Sequence, residues 1–87
     1  MKINVRKIEK VAKDYLNELA NVMQNDKDFV WEVTEAISDI AEQAGYSLDD
    51  LWIDLDDNDY KSSGLLYLID EILYGMSKDM GIYEVWN

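Results

Sequence analysis

The chain has no histidine and no cysteine in its 87 residues. Without histidine it lacks the commonest general base, the commonest metal ligand and the usual proton switch near neutral pH. Without cysteine, no disulfide staples the fold and no thiolate can hold a metal or attack a substrate. Proline is absent too, so nothing forces a break inside a helical run. No apolar run is long enough to span a bilayer. The N-terminus, Met1-Lys2-Ile3-Asn4-Val5-Arg6-Lys7, has positive charge but no apolar stretch behind it, unlike a signal peptide. A cytoplasmic location is therefore expected. There is no Gly-rich phosphate loop and no nucleophile elbow. Enzymatic activity, a cofactor and a metal site are not expected.

Basic residues are also scarce, eight against nineteen acids, for a net charge of −11. They are unevenly placed. Lys2, Arg6, Lys7, Lys10 and Lys13 fall in the first thirteen residues, where Glu9 is the one acid. Residues 14–87 hold every other acid against only Lys27, Lys61 and Lys78. Such a body repels nucleic-acid phosphates and anionic lipid and attracts basic surfaces. Direct nucleic-acid binding and membrane binding are thus disfavoured. Hydrophobic residues make up 48% of the chain, enough for one modest core in a single domain spanning residues 1–87.

The periodicity predicts an all-α fold. A first helix is expected from about Asn4 to Gln24, capped by Asn4. Its apolar positions are Val5, Ile8, Ala12, Tyr15, Leu16, Leu19, Val22 and Met23, and Arg6, Lys10 and Lys13 form a separate basic stripe. A second helix is expected to start with Asp26 or Asp28 as cap and to end at Gly45, with Val30, Val33, Ile37, Ile40, Ala41 and Ala44 inward. Ser47-Leu48-Asp49-Asp50 resembles a capping box for a short third helix, with Tyr46 and Leu51 as a hydrophobic staple. A fourth helix is expected from Ser62 or Ser63 to Gly81. It carries Leu65, Leu66, Leu68, Ile69, Ile72, Leu73, Met76 and Met80 on one side. The expected architecture is a compact four-helix bundle-like domain, three helices long and one short, with a short C-terminal tail.

One pattern needs explaining. On the second helix Asp28, Glu32, Glu35, Asp39 and Glu42 recur at steps of four and three. At 100° per residue they make one stripe opposite the apolar face, roughly 21 Å long. Four successive like-charged pairs cost on the order of 1–2 kcal/mol, and no lysine or arginine interrupts them. A stripe of this kind can imitate the phosphates of duplex DNA, which carries about one charge per 1.7 Å of axis. The neighbouring segment 49–59 adds Asp49, Asp50, Asp54, Asp56, Asp57 and Asp59. The alternative is a solvated face that serves solubility, or one paired with Arg6, Lys10 and Lys13.

Aromatic residues add candidate anchors. Trp31 is expected on the flank of the stripe, and Tyr67 and Tyr74 opposite the apolar face of the last helix. Trp52 and Trp86 are expected in the core. From Asp54, the spacing of Asp56 and Asn58 matches the start of an EF-hand loop. Asp59 stands where that loop needs glycine, and Leu65 where it needs a bidentate glutamate, so a calcium sensor is not expected.

In length, in the stripe Asp28/Glu32/Glu35/Asp39/Glu42 and in the run Asp54–Asp59, the chain resembles the small acidic inhibitors of phages and mobile elements, among them anti-CRISPR and other DNA-mimic proteins. Immunity proteins against nuclease toxins are similar in size and charge. Leu48-Asp49-Asp50-Leu51-Trp52 is similar to a stretch of barstar-type ribonuclease inhibitors, whose strands the rest of the chain lacks. The resemblance implies a stoichiometric blocker whose partner is a basic nucleic-acid-binding protein, either a nuclease or a CRISPR effector. The other reading is a structural or regulatory subunit, with a homodimer as one form of it.

Overall fold

A computed structural model describes residues 3–52 and 64–82. Its regular elements are α1 (Val5–Asn25), α2 (Val33–Gln43), a 3₁₀ turn (Leu48–Trp52) and α3 (Leu65–Asp79). The fold is all-α. Among the described residues it has three helices and a 3₁₀ turn where four helices are expected. The Ser47–Asp50 box forms as predicted: Ser47 N–H donates to Asp50 Oδ2 at 2.8 Å and Asp50 N–H to Ser47 Oγ at 3.3 Å. The described residues that follow, Leu48–Trp52, form a 3₁₀ turn with the tighter i→i+3 ladder.

α1 starts at the expected cap. Asn4 Oδ1 accepts from the Lys7 N–H at 3.1 Å, and the Asn4 N–H donates to the Tyr46 hydroxyl at 2.9 Å. The second bond ties the start of α1 to the chain just beyond α2. Ile8, Ala12, Leu16 and Leu19 form the buried stripe of α1, while Val22 at its edge stands 43% exposed.

α2 is shorter than the sequence predicts and begins at Val33, with Glu32 at its N-cap. Upstream, Asp26 makes a turn: its Oδ1 accepts from the Asp28 N–H and its carbonyl from the Phe29 N–H. The reason lies in Trp31. On a continuous helix Trp31 would stand 200° from Val33, on the solvent side. In the extended segment its side chain is buried, and its Nε1–H donates to the Ile82 carbonyl at 3.1 Å. Burying a large apolar side chain is worth about 2–3 kcal/mol. Propagating a helix returns about 0.3 kcal/mol or less per residue, so the tryptophan wins. The same departure leaves Val30 in solvent, 72% exposed rather than in the core.

α2 and α3 end alike. Gly45 (φ 95°) and Gly81 (φ 74°) take the left-handed conformation. The next N–H reaches back to Ala41 O from Tyr46 and to Ser77 O from Ile82, each a Schellman closure. α2 has no basic residue in its last turn. The Lys7 ammonium of α1 supplies one, lying 3.6 Å from where a Gly45 side chain would begin, where it complements the negative end of the helix.

Each helix packs on the other two, and the 3₁₀ turn packs on α2 and α3. Val33, Ala36, Ile37, Ile40, Ala41 and Ala44 of the α2 segment meet Leu65, Leu68, Ile69 and Leu73 of α3 in one core. Leu51 of the turn is buried there, and Tyr46 packs against it. α3 begins at Leu65 with Gly64 as N-cap, rather than at Ser62 or Ser63. Ser77 is fully buried, its hydroxyl donating to the Tyr74 carbonyl at 3.2 Å. Among the described residues no helix is long and apolar enough to cross a membrane.

Candidate protein-binding surface

The residues proposed from the sequence separate into groups. Glu35, Asp39 and Glu42 share the outer face of α2, with Asp39 half-buried and the other two exposed. Glu32 is exposed at the N-cap. Asp28 is exposed in the turn before the helix, so the helical stripe is shorter than expected and starts at Glu32. Asp49 is exposed and Asp50 is engaged in the capping box. Asp54, Asp56, Asp57 and Asp59, Trp86 and the side chain of Trp52 lie outside the described residues, as does most of the EF-hand-like spacing. Trp31, expected as an apolar anchor beside the stripe, is 5% exposed and belongs to the core. Its indole N–H is used within the fold, so its surface is not available to a partner. Tyr67 and Tyr74 are exposed on α3.

The two ends of the α2 stripe differ in their electrostatics. Glu32 and Glu35 stand at the positive end of the helix dipole, which favours them by about 0.3–1 kcal/mol each. Glu42 lies in the last turn, where the same dipole opposes it, and Asp39 lies mid-helix, where the dipole gives it no support. Local helix stability therefore accounts for the first two acids and not for the last two.

The structure adds two residues that the sequence reading did not single out. Tyr15 is half-buried, and its phenol is pushed above its ordinary pKa, first by burial and then by the charges of Asp39 and Glu35. The inner edge of the α2 stripe thus faces α1. Tyr15, Glu18, Leu19 and Val22 of α1 line a shallow groove of about 140 Å³ on that side. Glu18 lines this partly apolar strip, and the charges of Asp39 and Glu35 act on the Tyr15 phenol at its edge. The signal was present as the spacing Tyr15, Glu18, Val22, one flank of a helix. Tyr15 and Val22 also fit the apolar period of α1, and that overlap masks the flank in the sequence.

The basic stripe lies elsewhere. Lys13 stands 200° around α1 from Tyr15 and lines a groove of about 300 Å³ with Asn17, Met76, Asp79 and Met80, on the α3 side. Arg6, Lys10 and Lys13 are exposed. Among the described residues no ion pair joins them to the α2 acids. The body of α1 separates the two stripes, and among the described residues no ion pair neutralises the acidic surface. Among the described residues there is also no group of three carboxylates placed to hold a metal ion.

No protein-family model matches the chain, and no curated protein and no solved structure is significantly similar to it.

Proposed function

We propose that this protein is a stoichiometric inhibitor that binds a basic nucleic-acid-binding protein, such as a nuclease or a CRISPR effector, and occupies its phosphate-binding surface. The observation that carries the reading is the acidic face Glu35, Asp39 and Glu42. Among the described residues no ion pair neutralises it, and the stripe Arg6, Lys10 and Lys13 sits on the far flank of α1. Glu42 opposes the helix dipole and adds to the like charge of Asp39 three residues earlier, so a partner is the simplest source of compensating charge. Glu18 and Tyr15 extend the face onto α1, and Asp28 and Glu32 border its lower end. In this reading the protein performs no catalysis, and its steering charge makes association fast and salt-sensitive.

The test is a pull-down from bacterial lysate on the immobilised protein, at low and high salt, with duplex DNA as competitor. The expected result is retention of basic nucleic-acid-processing proteins that DNA displaces and that a Glu35→Lys, Asp39→Lys, Glu42→Lys variant no longer holds. Retention indifferent to salt, to DNA and to the triple variant would favour the second reading, an interaction subunit whose acidity serves solubility. The exposed tyrosines of α3 support that second reading, since tyrosine is a favoured interface anchor.

A further inference from the structure

The outer face of α3 lies apart from the acidic surface. Tyr67, Glu71, Tyr74 and Lys78 follow one another at steps of four, three and four, which places them along one line of the helix. All four are exposed, Tyr67 at 57% and Tyr74 at 44%. The Lys78 ammonium lies 5.6 Å from the centre of the Tyr74 ring, a cation–π distance. Two large aromatic rings thus share this line with one acid and one base, Tyr74 lying between Glu71 and Lys78.

Gly75 sits at the edge of this face, between Glu71 and Lys78. Glycine in a helix interior costs about 1 kcal/mol relative to alanine. Gly75 has no left-handed φ to require it, unlike Gly45 and Gly81. A side chain built there meets nothing within 4 Å among the described residues. Nothing described within the protomer asks for glycine at this position. A close approach from outside would.

We infer that α3 pairs with α3 of a second copy of this chain, antiparallel, about a two-fold axis passing between Tyr74 and Gly75. In that register Glu71 of each protomer stands at the height of Lys78 of the other, giving two symmetric ion pairs along one edge. Gly75 lies between them on the same edge, so no Cβ obstructs the long side chains where they cross. The two Tyr74 rings meet near the axis on the other edge, and the Tyr67 rings flank them. A parallel pairing would set Glu71 against Glu71 and Lys78 against Lys78, so the charges select the antiparallel one. The face is self-complementary, as an isologous interface requires. Two bodies of net charge −11 repel at long range, so association strengthens as salt screens them. The partner described above would show the opposite salt dependence, and the two readings stand or fall separately.

The experiment is sedimentation equilibrium from micromolar to millimolar protein, at low and at moderate salt. The wild type is compared with Glu71→Lys, Lys78→Glu and the Glu71→Lys, Lys78→Glu double variant, with helix content checked by circular dichroism. The wild type is expected to rise from 10.1 kDa toward twice that mass, more readily at the higher salt. Each single variant removes both symmetric pairs and sets like charges in their place, which should weaken association by about tenfold or more, and the double variant should recover it. Glu71→Lys is the sharper arm: it reduces the net repulsion, so weaker association points to the two lost pairs and the like charges that replace them. A wild type that stays at protomer mass throughout overturns the inference, as does a double variant no better than the singles.

Discussion

Asp39 on α2 and Tyr15 on α1 are electrostatically joined across the helix interface: after burial, the Asp39 carboxylate is the largest influence raising the tyrosine's pKa, ahead of Glu35. A phenol whose folded pKa lies above its unfolded value of 10.0 favours the folded state while it stays protonated. That contribution is complete below pH 10 and is lost as pH rises through the raised folded value, because the unfolded chain ionises first. Asp39→Asn is expected to move the Tyr15 titration back toward 10, followed by NMR of the ring carbon bearing the hydroxyl. The burial component should remain, so the return is partial. An unchanged titration in Asp39→Asn would mean that the two side chains do not face each other.

Gly45 and Gly75 should respond to alanine with opposite signs. Gly45 has φ 95°, where a Cβ is strained, and Gly45→Ala is expected to destabilise by about 1 kcal/mol or more. Gly75 is in ordinary helical conformation with open space around it among the described residues, and Gly75→Ala is expected to stabilise the protomer by about 0.5–1 kcal/mol. For a chain of this size each kcal/mol moves the midpoint by about 4–8 °C. Thermal unfolding followed by circular dichroism, at a concentration where only protomers are present, reads both.

Trp31 links the segment before α2 to the end of α3 through its bond to the Ile82 carbonyl. Trp31→Phe keeps most of the apolar burial and removes the donor, so it is expected to cost about 1–2 kcal/mol, including the carbonyl left without its partner. Trp31→Ala should cost about 3–5 kcal/mol, a large part of the stability of so small a domain. Urea unfolding of the two variants separates the hydrogen bond from the packing. If Trp31→Ala were as stable as wild type, the indole would be at the surface, where the sequence alone placed it.

What could be read from the sequence was what neighbours within one turn decide. Asn4 as a cap, the Ser47–Asp50 box, the glycine closures at Gly45 and Gly81 and the buried steps Ile8, Ala12, Leu16 and Leu19 all depend on residues three or four apart. What could not be read depends on distant partners. The start of α2 turned on whether Trp31 would find a core and an acceptor, and that acceptor is 51 residues away. Asp28 then left the stripe because the chain around Trp31 is not helical. Tyr15 and Glu18 joined the acidic surface only because α1 presents that flank to α2, and the wheel of a single helix does not say which flank its neighbour takes. The separation of Arg6, Lys10 and Lys13 from the acids followed from the same choice.

Glu42 offers the cleanest division between stability and binding. It occupies the last turn of α2, where the helix dipole is negative and where α2 has no basic residue of its own. Glu42→Lys replaces an unfavourable charge with a favourable one and removes the like-charge pair with Asp39 three residues earlier, against a new repulsion from Lys7, which α1 brings to the same end of α2. The change is expected to raise stability by about 0.3–0.5 kcal/mol at low ionic strength, with the gain shrinking as salt is added. Retention of basic nucleic-acid-binding proteins by the immobilised variant should fall at the same time. A residue kept for the fold would lose stability on reversal, and a residue kept only for solubility would leave retention untouched. Thermal unfolding and pull-down on the same preparation therefore decide among the three. Gain of stability with loss of binding is the combination that a partner-facing carboxylate requires.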